Sequence, residues 1–137
     1  MSNNLPIIQF GLNAETMDSC AHGIANGNKR ATTGLHAAYR FDKEPLPRAG
    51  DRTMVRDSRE RDIAIIEVTE VEIRLYHEVD EAFAAIEGEG DRSLAYWQTV
   101  HWDFLGQECA RIGISLNDEI KVVLEYFKVV KTLINID

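Results

Sequence analysis

The run IAIIEVTEVEI, residues 63–73, decides how this chain is read. Its first half is almost unbroken aliphatic sequence, and from Glu67 onward acidic and apolar residues approach strict alternation. β-Branched residues at a period of two suit a pleated strand, so this is the clearest strand in the chain. Other strands are expected around it. Thr53 to Arg56 reads as a short strand leading into the polar turn DSRERD, and Ile120 to Val130, rich in Val, Tyr and Phe, as a buried one. After Lys29 the composition turns to threonine, small residues and aromatics, which predicts a strand through about Tyr39. LPIIQF, residues 5–10, is a short strand or a docked N-terminal arm. PLPRAGD, residues 45–51, is a loop, since its prolines remove backbone donors and Gly50–Asp51 is a turn signal. Strands joined by loops too short for a crossover helix are expected to pair antiparallel.

Helices flank these strands. Met17, Cys20, Ala21 and Ile24 recur at helical spacing within residues 14–26, with Asn13 placed to cap the start and Gly27 suited to the left-handed end. A second helix is expected over 79–86. A third starts at Asp91 or Ser93 and runs to about Arg111, with Leu94, Trp97, His101, Phe104 and Glu108 along one stripe. Between them EGEGDRS, 87–93, is too glycine-rich for regular structure. The elements imply an α+β domain occupying residues 1–137, a small bent barrel with helices packed over its ends.

The 137 residues suffice for one core, and 45% hydrophobic with 28% charged residues is ordinary for a globular chain. No run is long and apolar enough to span a bilayer and no signal peptide opens the chain, so the expected compartment is the cytoplasm, away from membranes. Cys20 and Cys109 are expected to be reduced and partly buried. A net charge of −8 argues for a small ligand over a long polyanion. Arg40, Lys43, Arg48, Arg52, Arg56, Arg59 and Arg61 concentrate positive charge mid-chain, and the ordinary reading of such a run is a solvated face.

No Walker A run, dinucleotide fingerprint, nucleophile elbow or zinc-ligand spacing is present. The four histidines stand singly; His101, beside Trp97 on the apolar stripe, reads first as a hydrogen-bonded core residue. Residue chemistry alone stops at an α+β domain.

A resemblance carries the reading further. Gly27-Asn28-Lys29-Arg30-Ala31-Thr32 resembles the GxKxxT signature of the ASCH domain family, which has a PUA-like antiparallel β-barrel. PLPRAGD, AIIEVTEVEI, VDEAFAAIEGEGDRSLAYWQTVH and VVLEYFKVV are similar to family blocks in the same order along most of the chain. Residue 34 departs from the pattern: many ASCH domains have an arginine there, and this chain has Gly34. The resemblance implies a cleft between barrel and helices, with a nucleoside or short single-stranded RNA as ligand. Small bacterial members are amidohydrolases that deacetylate N4-acetylcytidine with a lysine, a threonine and a downstream glutamate. Matched here these are Lys29, Thr32 and Glu89, with Glu87 second to Glu89. Larger members include ribonucleases, for which a divalent metal or a base–acid pair at the 2′-OH is needed, with Arg56, Arg59 or Arg61 on phosphate. The amidohydrolase needs no cofactor and no metal ligand. A non-catalytic RNA-binding module is the third reading. Tyr39, Trp97 or Trp102 would stack a base, and His101 lies near enough in sequence to join them.

The chemistry is coherent. An amide carbonyl needs a nucleophile, a proton acceptor and positive charge where the oxyanion develops. Threonine needs a neighbour to take its proton; a lysine does this only when its pKa is lowered. On this reading Lys29→Ala abolishes hydrolysis and leaves the fold intact.

Overall fold

The computed structural model describes residues 5–133. A two-residue strand β1 (Ile7–Ile8) is followed by helix α1 (Ala14–Ala25), β2 (Ala31–Leu35), α2 (His36–Phe41), β3 (Arg52–Arg56) and the long β4 (Asp62–Leu75). A single 3₁₀ turn (Tyr76–Glu78), α3 (Glu81–Glu87), α4 (Leu94–Ile112) and β5 (Lys121–Thr132) complete the order. The chain is α+β, with no helix among the described residues long and apolar enough to cross a membrane.

The strands form one mixed sheet in the order β1-β3-β4-β5-β2. This overturns the closed antiparallel barrel expected from the sequence. β1 and β2 stand at opposite edges and do not pair, and β1 runs parallel to β3. The antiparallel rule fails at β1 because α1, β2 and α2 lie between it and β3 in sequence, which is chain enough to cross over. Closure fails because β1 is only two residues long and the outer side of β2 is taken by helices. The Arg30 amide, just before β2, donates to the Ile86 carbonyl of α3 (2.9 Å).

β4 anchors both neighbours, pairing antiparallel with β3 and β5. Register shifts at Ile65/Ile66 and Val68/Glu70 bend it. Of its residues Ile63, Ala64 and Ile66 pack with Ala21, Ile24, Val55 and Phe127 in one apolar layer under α1. A second layer is built by β2 and β5, whose Leu35, Val122 and Leu124 pack against Phe83, Trp97, Leu105 and Cys109 of α3 and α4. Along 63–68 Ile63, Ala64, Ile66 and Val68 are buried and Ile65 is half-buried, which matches the nearly continuous hydrophobicity of that half of the strand.

Local rules account for the helix ends. Asn13 accepts from the Thr16 amide and Thr16 Oγ1 accepts from the Asn13 amide, a reciprocal cap on α1. Asp80 and Ser93 cap α3 and α4. One expected strand is cut short: residues 36–41 are helical, because His36-Ala-Ala-Tyr-Arg carries helix formers that outweigh its aromatic. Cys20 and Cys109 are free and buried. Three of the six mid-chain arginines are paired with neighbours, Arg52 with Glu67, Arg56 with Asp62 and Arg61 with Asp57.

Candidate functional site

Lys29 owes its position to a chain reversal. Gly27, at φ +86°, ends the turn after α1 and sends the backbone back, so that the Lys29 amide donates to the Gly23 carbonyl (2.9 Å). Gly23 itself leaves room for the lysine, since a Cβ added there would lie 3.2 Å from the Lys29 Cβ. On the opposite side Gly88, at φ +77°, ends α3 with its bare Cα against the Asn28 carbonyl, a place where no side chain fits. The two glycines press the end of α3 onto the loop before β2, which brings Glu87 and Glu89 to Lys29.

The result is a buried cluster of charges. Lys29 is 1% exposed. Its Nζ donates to Glu89 Oε2 (2.7 Å) and to the Ala31 carbonyl (2.8 Å), and lies 3.6 Å from Glu87 Oε1. Glu87, also 1% exposed, is held on every side. Its Oε2 accepts from Thr33 Oγ1 (2.6 Å) and Trp97 Nε1 (3.0 Å), and its Oε1 lies 2.6 Å from His101 Nε2. The other ring nitrogen of His101, Nδ1, is 2.9 Å from the Trp97 carbonyl.

That geometry fixes the protonation of His101. A carbonyl only accepts, so Nδ1 carries a proton. Nε2 faces a carboxylate oxygen, which without a proton on Nε2 would be a buried acceptor with no donor. With Glu87 held ionised, His101 is an imidazolium. Burial alone would lower its pKa, but the Glu87 carboxylate outweighs this and raises it. Glu87 is held well below the usual carboxylate range: burial opposes ionisation, and Lys29, His101 and Thr33 overcome it. Lys29 follows the same logic, with desolvation pulling down and the two glutamates raising it. Glu89, with fewer donors, goes the other way, raised by burial and by the Glu87 charge against the pull of Lys29. Two cations and two anions thus form a neutral set in which Lys29, Glu87 and His101 are buried and Glu89, half-buried at the rim, is the member most easily protonated.

A testable consequence is that His101 keeps both ring protons above its ordinary pKa of 6.5. Its raised value means that its contribution to stability is complete below 6.5 and fades as pH rises through the folded-state value. Nitrogen chemical shifts of the His101 ring are expected to be those of the imidazolium at pH 7.5. A neutral-tautomer pattern there contradicts the arrangement.

The cluster opens into a cavity of about 130 Å³ lined by Phe10, Cys20, Thr32, Thr33, Tyr96 and Phe104 besides the charged residues. It lies in the gap left by the unclosed sheet, since Phe10 follows β1 and the threonines belong to β2. A second cavity of about 270 Å³ shares Phe10, Thr32, Thr33 and Phe104 with it and continues past Gly34, Tyr39 and Glu125.

The structure brings Lys29, Thr32, Glu89 and His101 to one cavity. Glu87, ranked behind Glu89 in the sequence, is the hub of the buried network, while Glu89 is the direct ion-pair partner of Lys29. Trp97 sits beneath the cavity, 4% exposed, stacked on His101 and bonded to Glu87 instead of offering a face to a ligand. Tyr39 lines the second cavity. Arg56 lines neither; it is on β3, paired with Asp62 at 2.7 Å. Thr33 was missed, because adjacent threonines look alike until strand alternation is known. β2 buries Ala31, Thr33 and Leu35 and leaves Thr32 and Gly34 on the other face.

Glu87, Glu89 and His101 carry donor atoms within 4.8 Å of one another, the spacing of a metal site. The residues do not fit one. Lys29 already supplies positive charge to both carboxylates, and Nε2 of His101 is spent on a proton shared toward Glu87. A divalent ion would have to displace the ammonium and deprotonate the imidazolium.

A family model described as the ASCH domain matches residues 6–131. Among solved structures, the ASCH domain from Lactobacillus crispatus JV V101 is 39% identical with a TM-score of 0.88, covering 91% of this chain and 79% of that one. A protein from Enterococcus faecalis V583 is 30% identical with a TM-score of 0.84, over 91% and 76%. The ASCH protein from Zymomonas mobilis shares the fold at 9% identity and a TM-score of 0.58, over 93% and 71%. No curated protein matches the chain.

Proposed function

Because the chain belongs to the ASCH domain family, we propose that it is an amidohydrolase that removes the acyl group from an N4-acetylcytidine-type nucleoside. The observation that carries this reading is a buried ammonium, Lys29, held by a carboxylate and opening onto a cavity that also presents the Thr32 hydroxyl. Such a cation in a dry site is suited to stabilising an oxyanion.

The groups divide the work as their protonation dictates. The acyl oxygen docks toward Lys29 Nζ. Thr32 Oγ1 attacks the acyl carbon while Glu89 takes its proton. A carboxylate with a raised pKa is the better acceptor. The C–N bond then breaks as Glu89 passes that proton to the departing amine, leaving an acyl ester on Thr32. Water adds with Glu89 again accepting a proton, the ester C–O bond breaks, and Thr32 regains its hydrogen as the acid leaves. Lys29 does not act as the base, because a lysine whose pKa is raised holds its proton. Glu87, His101, Thr33 and Trp97 keep Lys29 charged and in place.

This scheme routes nothing through a metal. Incubation with N4-acetylcytidine and excess chelator is expected to release cytidine, while labelled single-stranded RNA in the same buffer survives uncut. RNA cleavage that depends on added manganese or magnesium would replace this reading with the ribonuclease one. Neither reaction occurring would leave a binding module.

A further inference from the structure

The second cavity presents half-buried polar groups that take no hydrogen bond from the described residues. Thr32 and Glu125 are directly opposed in the β2–β5 ladder, so their side chains stand side by side on one face of the sheet. Tyr39 reaches over from α2 because Gly34 has no side chain; a Cβ there would lie 3.0 Å from the Tyr39 hydroxyl. Burial raises both groups, the Tyr39 phenol to about 12 with Glu125 and Glu44 adding to it, and neither is relieved by a hydrogen bond from the described residues. The phenol is thus a standing donor and Glu125 an acceptor without a partner, in a groove that runs on from the catalytic cavity.

The wall contains no lysine or arginine. Asp42 and Glu108 belong to it too and share the single positive charge of Arg111, at 2.8 and 3.0 Å, which leaves the trio with one net negative charge. Glu44 and Glu125 add to that charge and make the wall acidic. Such a surface repels phosphate and accepts hydrogen bonds from hydroxyls; one carboxylate can take both hydrogens of a vicinal diol.

We propose that this second cavity is the sugar subsite of the enzyme, taking the hydroxyls of an unphosphorylated nucleoside on Glu125 and Tyr39 and rejecting nucleotides. The proposal rests on the hydrolase reading for the identity of the base, which lies in the Lys29 cavity, but is tested by binding without turnover. Calorimetry with cytidine, cytosine and cytidine 5′-monophosphate separates the parts. Cytidine is expected to bind about tenfold or more tightly than cytosine, the worth of a hydrogen bond to a charged group. The monophosphate is expected to bind about tenfold more weakly than cytidine, with part of that loss restored by Glu44→Gln. Glu125→Gln and Tyr39→Phe, checked for folding by circular dichroism, are expected to close the gap between cytidine and cytosine. Equal affinity for cytosine and cytidine, a monophosphate bound as tightly as the nucleoside, or a gap unmoved by both variants overturns the sugar subsite and leaves the hydrolase standing. If none of the three ligands binds, the subsite and the nucleoside reading fall together.

Discussion

Replacing Lys29 by alanine is expected to remove all measurable turnover and to cost about 3–5 kcal/mol of folding stability, the usual loss when one partner of a buried ion pair is deleted. The sequence alone gave no reason to expect the second effect, since a lysine in a catalytic motif can be removed without harm if it stands in a solvated cleft. Here it is 1% exposed and is the cation nearest to Glu89. Without it Glu87 keeps His101, Thr33 and Trp97, but Glu89 is left half-buried beside a like charge. That carboxyl, already raised in the native protein, will rise further. A carboxyl whose folded pKa lies above its unfolded value binds more protons in the native state, so stability falls as pH rises. The variant should therefore lose more stability at pH 8 than at pH 5, and urea unfolding at the two pH values measures this. A Lys29→Ala protein as stable as the parent at pH 8 would mean that the lysine is solvated and the charge cluster does not exist.

How much of this arrangement could be read in advance depended on which forces act locally. α1 and α4 could be placed from periodicity and capping residues, because Asn13 and Ser93 satisfy amides three residues away, whereas the helix expected over 79–86 starts two residues later, at Glu81, behind the cap Asp80. β4 and β5 declared themselves through aliphatic content. Closure of the sheet did not, because nothing in LPIIQF or ATTGL tells an edge strand that meets a second edge from one that meets a helix. The choice was made by Arg30 bonding to Ile86, a contact between distant segments. Lys29 and Thr32 were found through a motif, and Glu89 through alignment of a short glycine-rich tract. Glu87 and Thr33 acquired meaning only when Gly88 packed against Asn28. Trp97 was the instructive case: an indole on an apolar stripe suggested stacking on a base, whereas its N–H was needed to satisfy a buried carboxylate.

Thr32 and Thr33 supply the sharpest division between chemistry and support. They are neighbours on β2, but alternation sends them to opposite faces, and only Thr33 is bound to Glu87. Thr32→Val keeps shape and β-propensity while deleting a hydroxyl that no buried group depends on. It is expected to lower kcat by about a thousandfold or more, as loss of a nucleophile does, with unfolding free energy within about 0.5 kcal/mol of the parent. Thr33→Val removes a donor from a fully buried carboxylate and is expected to cost about 1.5–3 kcal/mol of stability. Turnover by the folded fraction should survive in that variant, since Glu87 retains Trp97 and His101. Chemical denaturation and single-turnover release of cytidine, measured on both variants, give the two numbers needed for each. The opposite pattern, with Thr33→Val inactive and Thr32→Val active, would move the nucleophile to Thr33 and give Glu87 the role of its proton acceptor. If both variants remain active, no threonine of β2 forms the acyl ester, and water activated at Glu89 must attack the acyl carbon directly.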